Sequence, residues 1–430
     1  MAAGLSGRWR AHMGLLMHDE AARSGAQIDA APLECPAPVS LRREVRFAAP
    51  IALSVMAAMI PATIVIPVIR PLIAAGWPGA DWVFYAFMAV NLLGACVLGP
   101  VLAVKAERLG RRRHFAAGLA LVDGVMVAAV AFMPPLPVML ALRFVQGAAS
   151  VAAVSLLMGA ARGRTQSSAA TGLIGSSVVL ALVVGIPLGA ILGRNDPSLP
   201  LLVGGAFGAL AALGAWRSLP EGASSRLAAA AVWRLPGVRA PIVAVGLERF
   251  SVGLFTVTLQ LFAFHVLSTP DGTTSRWFSI FLVCFAVATV PFTRLGDRVP
   301  RWGLVACGTV AYAVMFFLLP VVGSAWMPAA LVLGGVGSAA IYGPSLSLVG
   351  RNVPPEARGS AMSLMNAAGT FGMFLGNVTA GATATVVLAS GGSRLSAYTL
   401  VFVLAGLSQL VTTVFALRVG AAERTSTPAA

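Results

Sequence analysis

Gly99-Pro-Val-Leu-Ala-Val-Lys105-Ala-Glu107-Arg108-Leu-Gly110-Arg111-Arg112-Arg113-His-Phe115 is a dense basic knot set between two long apolar runs. Five cations, Lys105, Arg108, Arg111, Arg112 and Arg113, fall within nine positions. Charge at that density is too costly to place in hydrocarbon. The stretch is therefore a short loop at one face of a membrane, and the positive-inside bias assigns that face to the cytoplasm.

Composition agrees. The 430 residues are 58% hydrophobic and only 10% charged, with a mean hydropathy of +0.87, whereas soluble domains carry about 25% charged residues. The chain reads as an integral membrane protein. Its net charge of +15 does not point to nucleic acid, because the arginines cluster at the ends of apolar runs rather than along one polar face. Such loops suit an anionic lipid surface. Cys35, Cys96, Cys284 and Cys307 show no paired spacing, so neither a disulfide framework nor a metal site is expected. An embedded enzyme would need converging nucleophile, base or metal ligands. Of the four histidines, His12 and His18 precede the first apolar run, His114 lies in the basic loop and His265 at the end of a run. No cofactor is expected. No phosphate-binding Gly-x-x-x-x-Gly-Lys-Ser/Thr loop occurs, so an ion gradient must supply the energy.

Apolar runs of spanning length follow one another down the chain. They are read at Phe47–Ile69, Trp82–Val104, His114–Met133, Val138–Ala160, Ala169–Leu192 and Leu201–Leu219, then at Pro241–His265, Trp277–Phe292, Trp302–Val322, Pro328–Val349, Ser360–Leu388 and Ala397–Leu417. Pro50, Pro61 and Pro67 should bend the first. Basic residues alternate with these spans, as a threaded chain requires. One set of connections carries Lys105 to Arg113, Arg162 with Arg164, Arg217 to Arg239, Arg294 to Arg301, and Arg351 with Arg358, while the other set carries at most one arginine each, Arg70, Arg194, Arg276 or Arg394. Both termini are thus expected in the cytoplasm. The organisation read from this is a disordered N-terminal tail over 1–42 with Met13 and Met17 as alternative starts, a six-helix bundle over 43–219, a linker over 220–240, a second bundle over 241–418 and a C-terminal tail over 419–430.

The halves echo each other. Glu107-Arg108 recurs as Asp297-Arg298, and Ala161-Arg162-Gly163 as Ala357-Arg358-Gly359, at offsets of 190 and 196. Six spans per half make the repeats parallel, related by an axis along the membrane normal.

The stretch Glu107-Arg108-Leu109-Gly110-Arg111-Arg112 resembles the loop signature Gly-x-Leu-Ala-Asp-Arg-x-Gly-Arg-Arg of the major facilitator superfamily, with Ala103 where that family has Gly and Glu107 where it has Asp. Arg143-Phe144-Val145-Gln146-Gly147 resembles its Arg-x-x-x-Gly motif on helix 4, and Gly185-Ile186-Pro187-Leu188-Gly189 its helix 5 motif of antiporters. The likeness covers residues 42 to 418. It implies an all-α integral membrane protein of twelve transmembrane helices in two six-helix bundles, the major facilitator fold, most like the drug:proton antiporter and sugar-efflux branch. It implies too that Glu107 meets the helix N-terminus at Arg358-Gly359-Ser360, a contact that would lock the cytoplasmic side. With Arg108, Gly110, Arg111, Arg112, Asp297 and Arg298 it forms the gating loop pair. A carboxylate is stabilised by a helix N-terminus in any case, and Ser360 suits an N-cap. Gly185, Gly189 and Gly193 recur every four residues, which lets another helix approach; Pro187 bends the helix.

Charges inside spans are the sharpest functional signal, since each costs about 2.5 to 3.5 kcal/mol at the bilayer centre on insertion scales. Asp123, Arg143, Glu248 and Arg249 are the proton-coupling candidates. Asp123 lies mid-span, and its structural alternative is an ion pair with Arg143. Glu248 lies inside the seventh span unless that helix starts later, which would leave it among headgroups. Neighbours at i and i+1 project about 100° apart, so Glu248 and Arg249 are not expected to pair. Gln146, Gln260, Tyr342 and Asn366 are substrate-cavity candidates, with helix-to-helix hydrogen bonds as their alternative use. The expected function is proton-coupled efflux, by antiport, of a small apolar or amphiphilic compound through alternating access, by a monomer in a bacterial inner membrane with protons, lipid and the substrate as partners. The alternative is proton-coupled uptake of a sugar or other metabolite. The uptake-type signature Pro-Glu-Ser-Pro-Arg after helix 6 is reduced here to Leu219-Pro220-Glu221-Gly222.

Overall fold

The computed structural model describes residues 41–426 apart from 79, 161–167, 220–228, 236, 271, 297 and 354–357. The expected N-terminal tail up to residue 40, most of the linker and the Arg162–Arg164 loop thus lie outside the described residues. All regular structure among the described residues is helical.

The first span is broken. A helix over Leu41–Thr63, with Pro50 and Pro61 inside it, gives way to a 3-10 turn at Ile66–Val68 and then a short helix at Ile69–Gly76. Pro67 lacks a backbone donor and cannot continue the ladder, so the bend read from its prolines is a full interruption, and the span runs beyond Ile69. The following spans are Asp81–Arg108, Arg112–Val130, Leu136–Ala160, Ser168–Leu192 and Leu199–Ser218. A short helix, Ala229–Arg234, precedes Arg239–His265, Thr273–Leu295, Arg301–Leu318, Met327–Arg351, Arg358–Ala389 and Arg394–Ser426. Eleven of these are long and apolar enough to cross a membrane among the described residues, and the fifth contributes Ser177–Leu192 as a shorter apolar piece.

Three of the helix ends that differ from the hydropathy reading do so for a local reason. The third span stops at Val130 rather than Met133, because Met133 takes a left-handed conformation, φ 49°, ahead of Pro134 and Pro135. The ninth stops at Leu318, short of Val322, with Pro320 just beyond. The twelfth continues to Ser426, through the stretch expected to be a tail, and Trp302 Nε1 donates to Glu423 Oε1 at 2.9 Å to hold that end against the ninth span.

Packing repeats every six spans. Spans 2 and 4, 3 and 6, 1 and 5, 1 and 6, 3 and 4, and 1 and 4 are in contact; so are 8 and 10, 9 and 12, 7 and 11, 7 and 12, 9 and 10, and 7 and 10. Spans 2 and 8 start 192 residues apart and spans 3 and 9 start 189 apart, close to the offsets of the sequence echoes. Between the halves, span 2 packs on 11 and span 5 on 8, which are equivalent contacts under the same exchange.

Small residues make the closest crossings. A Cβ on Gly147 would overlap the carbonyl of Asn91, and one on Gly94 the carbonyl of Phe144, so spans 2 and 4 touch backbone to backbone. Gly185, Gly189 and Gly193 of span 5 do the same for the break in span 1: added methyl groups would overlap Thr63 Oγ1, the Ile64 carbonyl and Val68. The glycine ladder read from the sequence is the seat of the interrupted helix.

Candidate transport site

Each half holds one acid and one arginine at mid-span. In the first half, Asp123, Arg143 and Gln146 are each 1% exposed. Neither Asp123 oxygen has a hydrogen-bond partner among the described residues, although Gln146 and Ser150 lie beside the carboxyl and Arg143 is within electrostatic range. The direct ion pair between Asp123 and Arg143, the structural alternative for that acid, is not formed. The guanidinium turns toward span 2, where its Cζ sits 4.3 Å from the centre of the Phe87 ring and its Nε lies 3.5 Å from the Phe87 carbonyl. Arg143 Nη1 donates to Gln146 Oε1, and Asn91 Nδ2 donates to the same oxygen at 3.3 Å and to the Arg143 carbonyl at 3.1 Å. Gln146 is thereby used within its own half.

In the second half, Glu248 is fully buried ten positions into a helix that begins at Arg239. At 1.5 Å per residue that is about 14 Å from the helix start, which removes the headgroup alternative. Ser338 Oγ donates to its Oε1 at 2.7 Å. Arg249 Nε lies 3.3 Å from Glu248 Oε2, contrary to the expectation from angular spacing. That spacing governs Cβ directions, whereas a side chain as long as arginine can fold back along its helix. A Cβ on Gly369 of span 11 would come within 3.2 Å of Arg249 Cγ, so the missing side chain there leaves room for the arginine. The guanidinium is flanked by Tyr342 at 5.4 Å and Phe285 at 5.9 Å from their ring centres, and the Tyr312 hydroxyl is buried without a partner within electrostatic range of the acid. Asn366 is half-buried on span 11. Gln260 sits away from the cluster: its Nε2 donates to the Thr256 carbonyl at 3.2 Å. It lines a cavity of about 200 Å³ at the arginine-poor end, together with Pro67, Arg70, Arg194, Phe264 and Ser275.

The halves are tied at that same end. Asp81, in the first turn of span 2, receives the Tyr398 hydroxyl at 3.2 Å on Oδ2 and His265 Nε2 at 3.2 Å on Oδ1, while Arg394 Nε stands 3.7 Å from Oδ2. Arg394 Nη1 lies 2.8 Å from His265 Nδ1. Arginine can only donate, so Nδ1 accepts, and the imidazole carries its proton on Nε2 toward Asp81. One turn along, the Tyr85 hydroxyl lies 3.1 Å from Thr258 Oγ1, and Asn377 Nδ2 donates to the Tyr85 carbonyl at 2.8 Å. Arg70 lies over the Phe264 ring at 3.2 Å. Sequence reading placed His265 at an interface and counted Arg394 as a loop residue; Asp81, Tyr85 and Tyr398 carried no signal, each being a polar group at the margin of an apolar run.

The opposite end carries the basic residues. Arg108 closes span 2, Gly110 makes the turn at φ 65°, which a side chain would strain, Arg111 precedes span 3, and Arg112 opens it at 5% exposure. Arg113 lies over the Trp216 ring at 4.3 Å. Arg298 follows the end of span 8, its amide bonded to the Leu295 carbonyl at 2.9 Å. Asp297 lies outside the described residues, as do the side chains of Glu107, Arg358 and Ser360.

The second half of this bundle is matched by a family model. The Major Facilitator Superfamily model aligns with residues 242–429. The match lies wholly in the second half of the chain. Solved structures extend the likeness over both halves. The human organic anion transporter MFSD10 (TETRAN) is 18% identical with a TM-score of 0.67, covering 88% of this chain and 100% of that one. A bacterial homologue of the human lysosomal transporter Spinster, inward-facing and unoccupied, is 16% identical with a TM-score of 0.68, covering 89% and 96%. The nucleoside transporter NupG is 14% identical with a TM-score of 0.66, covering 86% and 98%. At these identities the likeness is one of fold. No curated protein matches the sequence.

Proposed function

We propose that this chain is a major facilitator transporter, proton-coupled, that exports a small apolar or amphiphilic compound by antiport, as a monomer in the bacterial inner membrane with both termini in the cytoplasm. The observation that carries the reading is the placement of two carboxyl groups, Asp123 and Glu248, deep inside their halves with an arginine near each. Desolvation favours the neutral form of a carboxyl and a nearby cation the charged form. A motion that changes the distance between acid and arginine therefore changes proton affinity, and exposing the site first to one side and then to the other carries protons across. Basic loops on the cytoplasmic face and the Asp81 tie on the outer face are the two closures between which the halves rock. The glycine and proline pattern of span 5 supports the antiport direction by resemblance alone.

A second reading, proton-linked uptake, has its own support in Arg249. Only its Nε is engaged by Glu248, and protonation of that acid would free the arginine for a substrate that travels with the proton.

The test uses vesicles with an imposed pH gradient and a fluorescent amphiphile. Glu248→Gln and Asp123→Asn are compared with the unaltered protein. At least one should abolish gradient-driven movement while leaving binding measurable. Accumulation against a gradient by both variants would remove both acids as carriers.

A further inference from the structure

We infer that the second half holds a binding site for an organic monoanion, a carboxylate or sulfonate on an apolar body, anchored by Arg249 and gated by Glu248. The inference rests on the coupling roles proposed above only for its pH dependence; the site itself stands on geometry.

Glu248 and Arg249 are unequal partners. The acid is fully buried and bonded to Ser338, while the arginine side chain is 20% exposed. Among the described residues the guanidinium's ion pair is made through Nε alone. No hydrogen bond engages its Nη groups among the described residues, and the side chain keeps a 20% exposed surface. A guanidinium offers five donors in a planar fork that fits the two oxygens of a carboxylate. Here the outward edge of that fork is unused. Phe285 of span 8, Tyr342 of span 10 and Gly369 of span 11 surround the group, so it lies among the helices of the second half rather than against lipid. The two rings, 5.7 Å apart between centres, supply the apolar contact for the body of the ligand. A cation would meet the arginine first, with the acid screened behind it. A phosphate dianion would leave a charge unmatched by the one arginine.

Charge balance gives the gating. With Glu248 ionised, the pair is neutral and a bound anion leaves the site at net −1. With Glu248 protonated, arginine and anion neutralise each other. The titratable groups facing Glu248 and Arg249 are each other, Tyr312 of span 9 and Tyr342 of span 10. From span 12 come only Ser408 and the amide of Gln409, at Ser251 and Leu247, and span 11 presents glycines. Asp81 and Tyr85 of span 2 meet this helix near His265, at its other end. Glu248 is thus the group whose charge state sets how firmly the anion is held.

Purified protein is titrated with benzoate and naphthoate, with benzylammonium and benzyl alcohol as cationic and neutral counterparts, following Tm and intrinsic fluorescence. No gradient is present, so a failure of proton coupling leaves this readout untouched. The carboxylates should bind, more tightly as pH falls, and the counterparts should not. Glu248→Gln should bind them at least as well at every pH. Arg249→Gln should weaken binding by about tenfold to a hundredfold, the range for losing bonds to a charged group. If that variant does not fold, Arg249→Lys keeps the charge but not the fork, and should fold and bind at least several-fold more weakly. The proposal is overturned if no carboxylate binds, if benzylammonium binds in preference, or if the arginine variants bind carboxylates like the unaltered protein.

Discussion

Replacing Asp81 by alanine should release the outer ends of the two halves. Its carboxylate accepts two hydrogen bonds, from Tyr398 and His265, both from the second half and both at 3.2 Å. Bonds to a charged acceptor contribute about 1.5 to 3 kcal/mol each, and at this length the lower figure applies, giving about 3 kcal/mol for the two. Arg394, 46% exposed and 3.7 Å away, adds less than about 1 kcal/mol because water screens it. Rehydration of Asp81, itself 14% exposed, offsets part of the total once the ends separate. About 2 kcal/mol remains in favour of the closed outer face, so its loss shifts the balance between closed and open about thirtyfold. Spin labels at Pro78→Cys and Gly391→Cys, one on each half, would report the separation in a background lacking Cys35, Cys96, Cys284 and Cys307. Asp81→Ala should move the distribution toward longer distances, and Tyr398→Phe should do so by less. An unchanged distribution in Asp81→Ala would refute the tie as a closure.

Gly147→Ala should lower Tm in detergent, by about 1 to 3 kcal/mol of stability, because the new methyl must push span 4 off the Asn91 carbonyl. Gly350→Ala, where nothing lies within 4 Å, should leave Tm unchanged or raise it through helix propensity; equal losses at the two positions would argue against the close crossing. Cysteine labelling near Arg111 and Arg298 should find both positions cytoplasmic, and reaction of both with an impermeant reagent outside intact cells would invert the topology.

The spans were legible because hydrocarbon imposes one rule on every residue of a crossing, and the repeat because two halves under that rule keep matching landmarks. Helix ends were less so: Pro67, Pro134 and Pro320 act through backbone geometry that average hydropathy does not register. Within the site, the buried acids and arginines stood out by scarcity, but their partners did not. Phe87 and Gln146 hold the Arg143 guanidinium, and Gly369, 120 residues from Arg249, leaves the room that the Arg249 side chain occupies. The Asp81 tie joins positions 184 and 317 residues apart, and each is an ordinary polar residue in its own segment.

The interruption in the first span has a mechanical consequence. Beyond the 3-10 turn, Ile69–Gly76 is a rod of eight residues, about 12 Å long, joined to the rest of its helix through a few residues with an incomplete ladder. Pro67, Val68, Arg70 and Pro71, at the turn and along the rod, form one wall of the 200 Å³ cavity. Swinging such a rod by about 20° about the turn carries its tip about 4 Å, while Leu41–Thr63 keeps its place against spans 5 and 6. The mouth of the cavity can therefore widen like a door on a jamb, with the glycines of span 5 as the fixed post and no need for the whole helix to tilt.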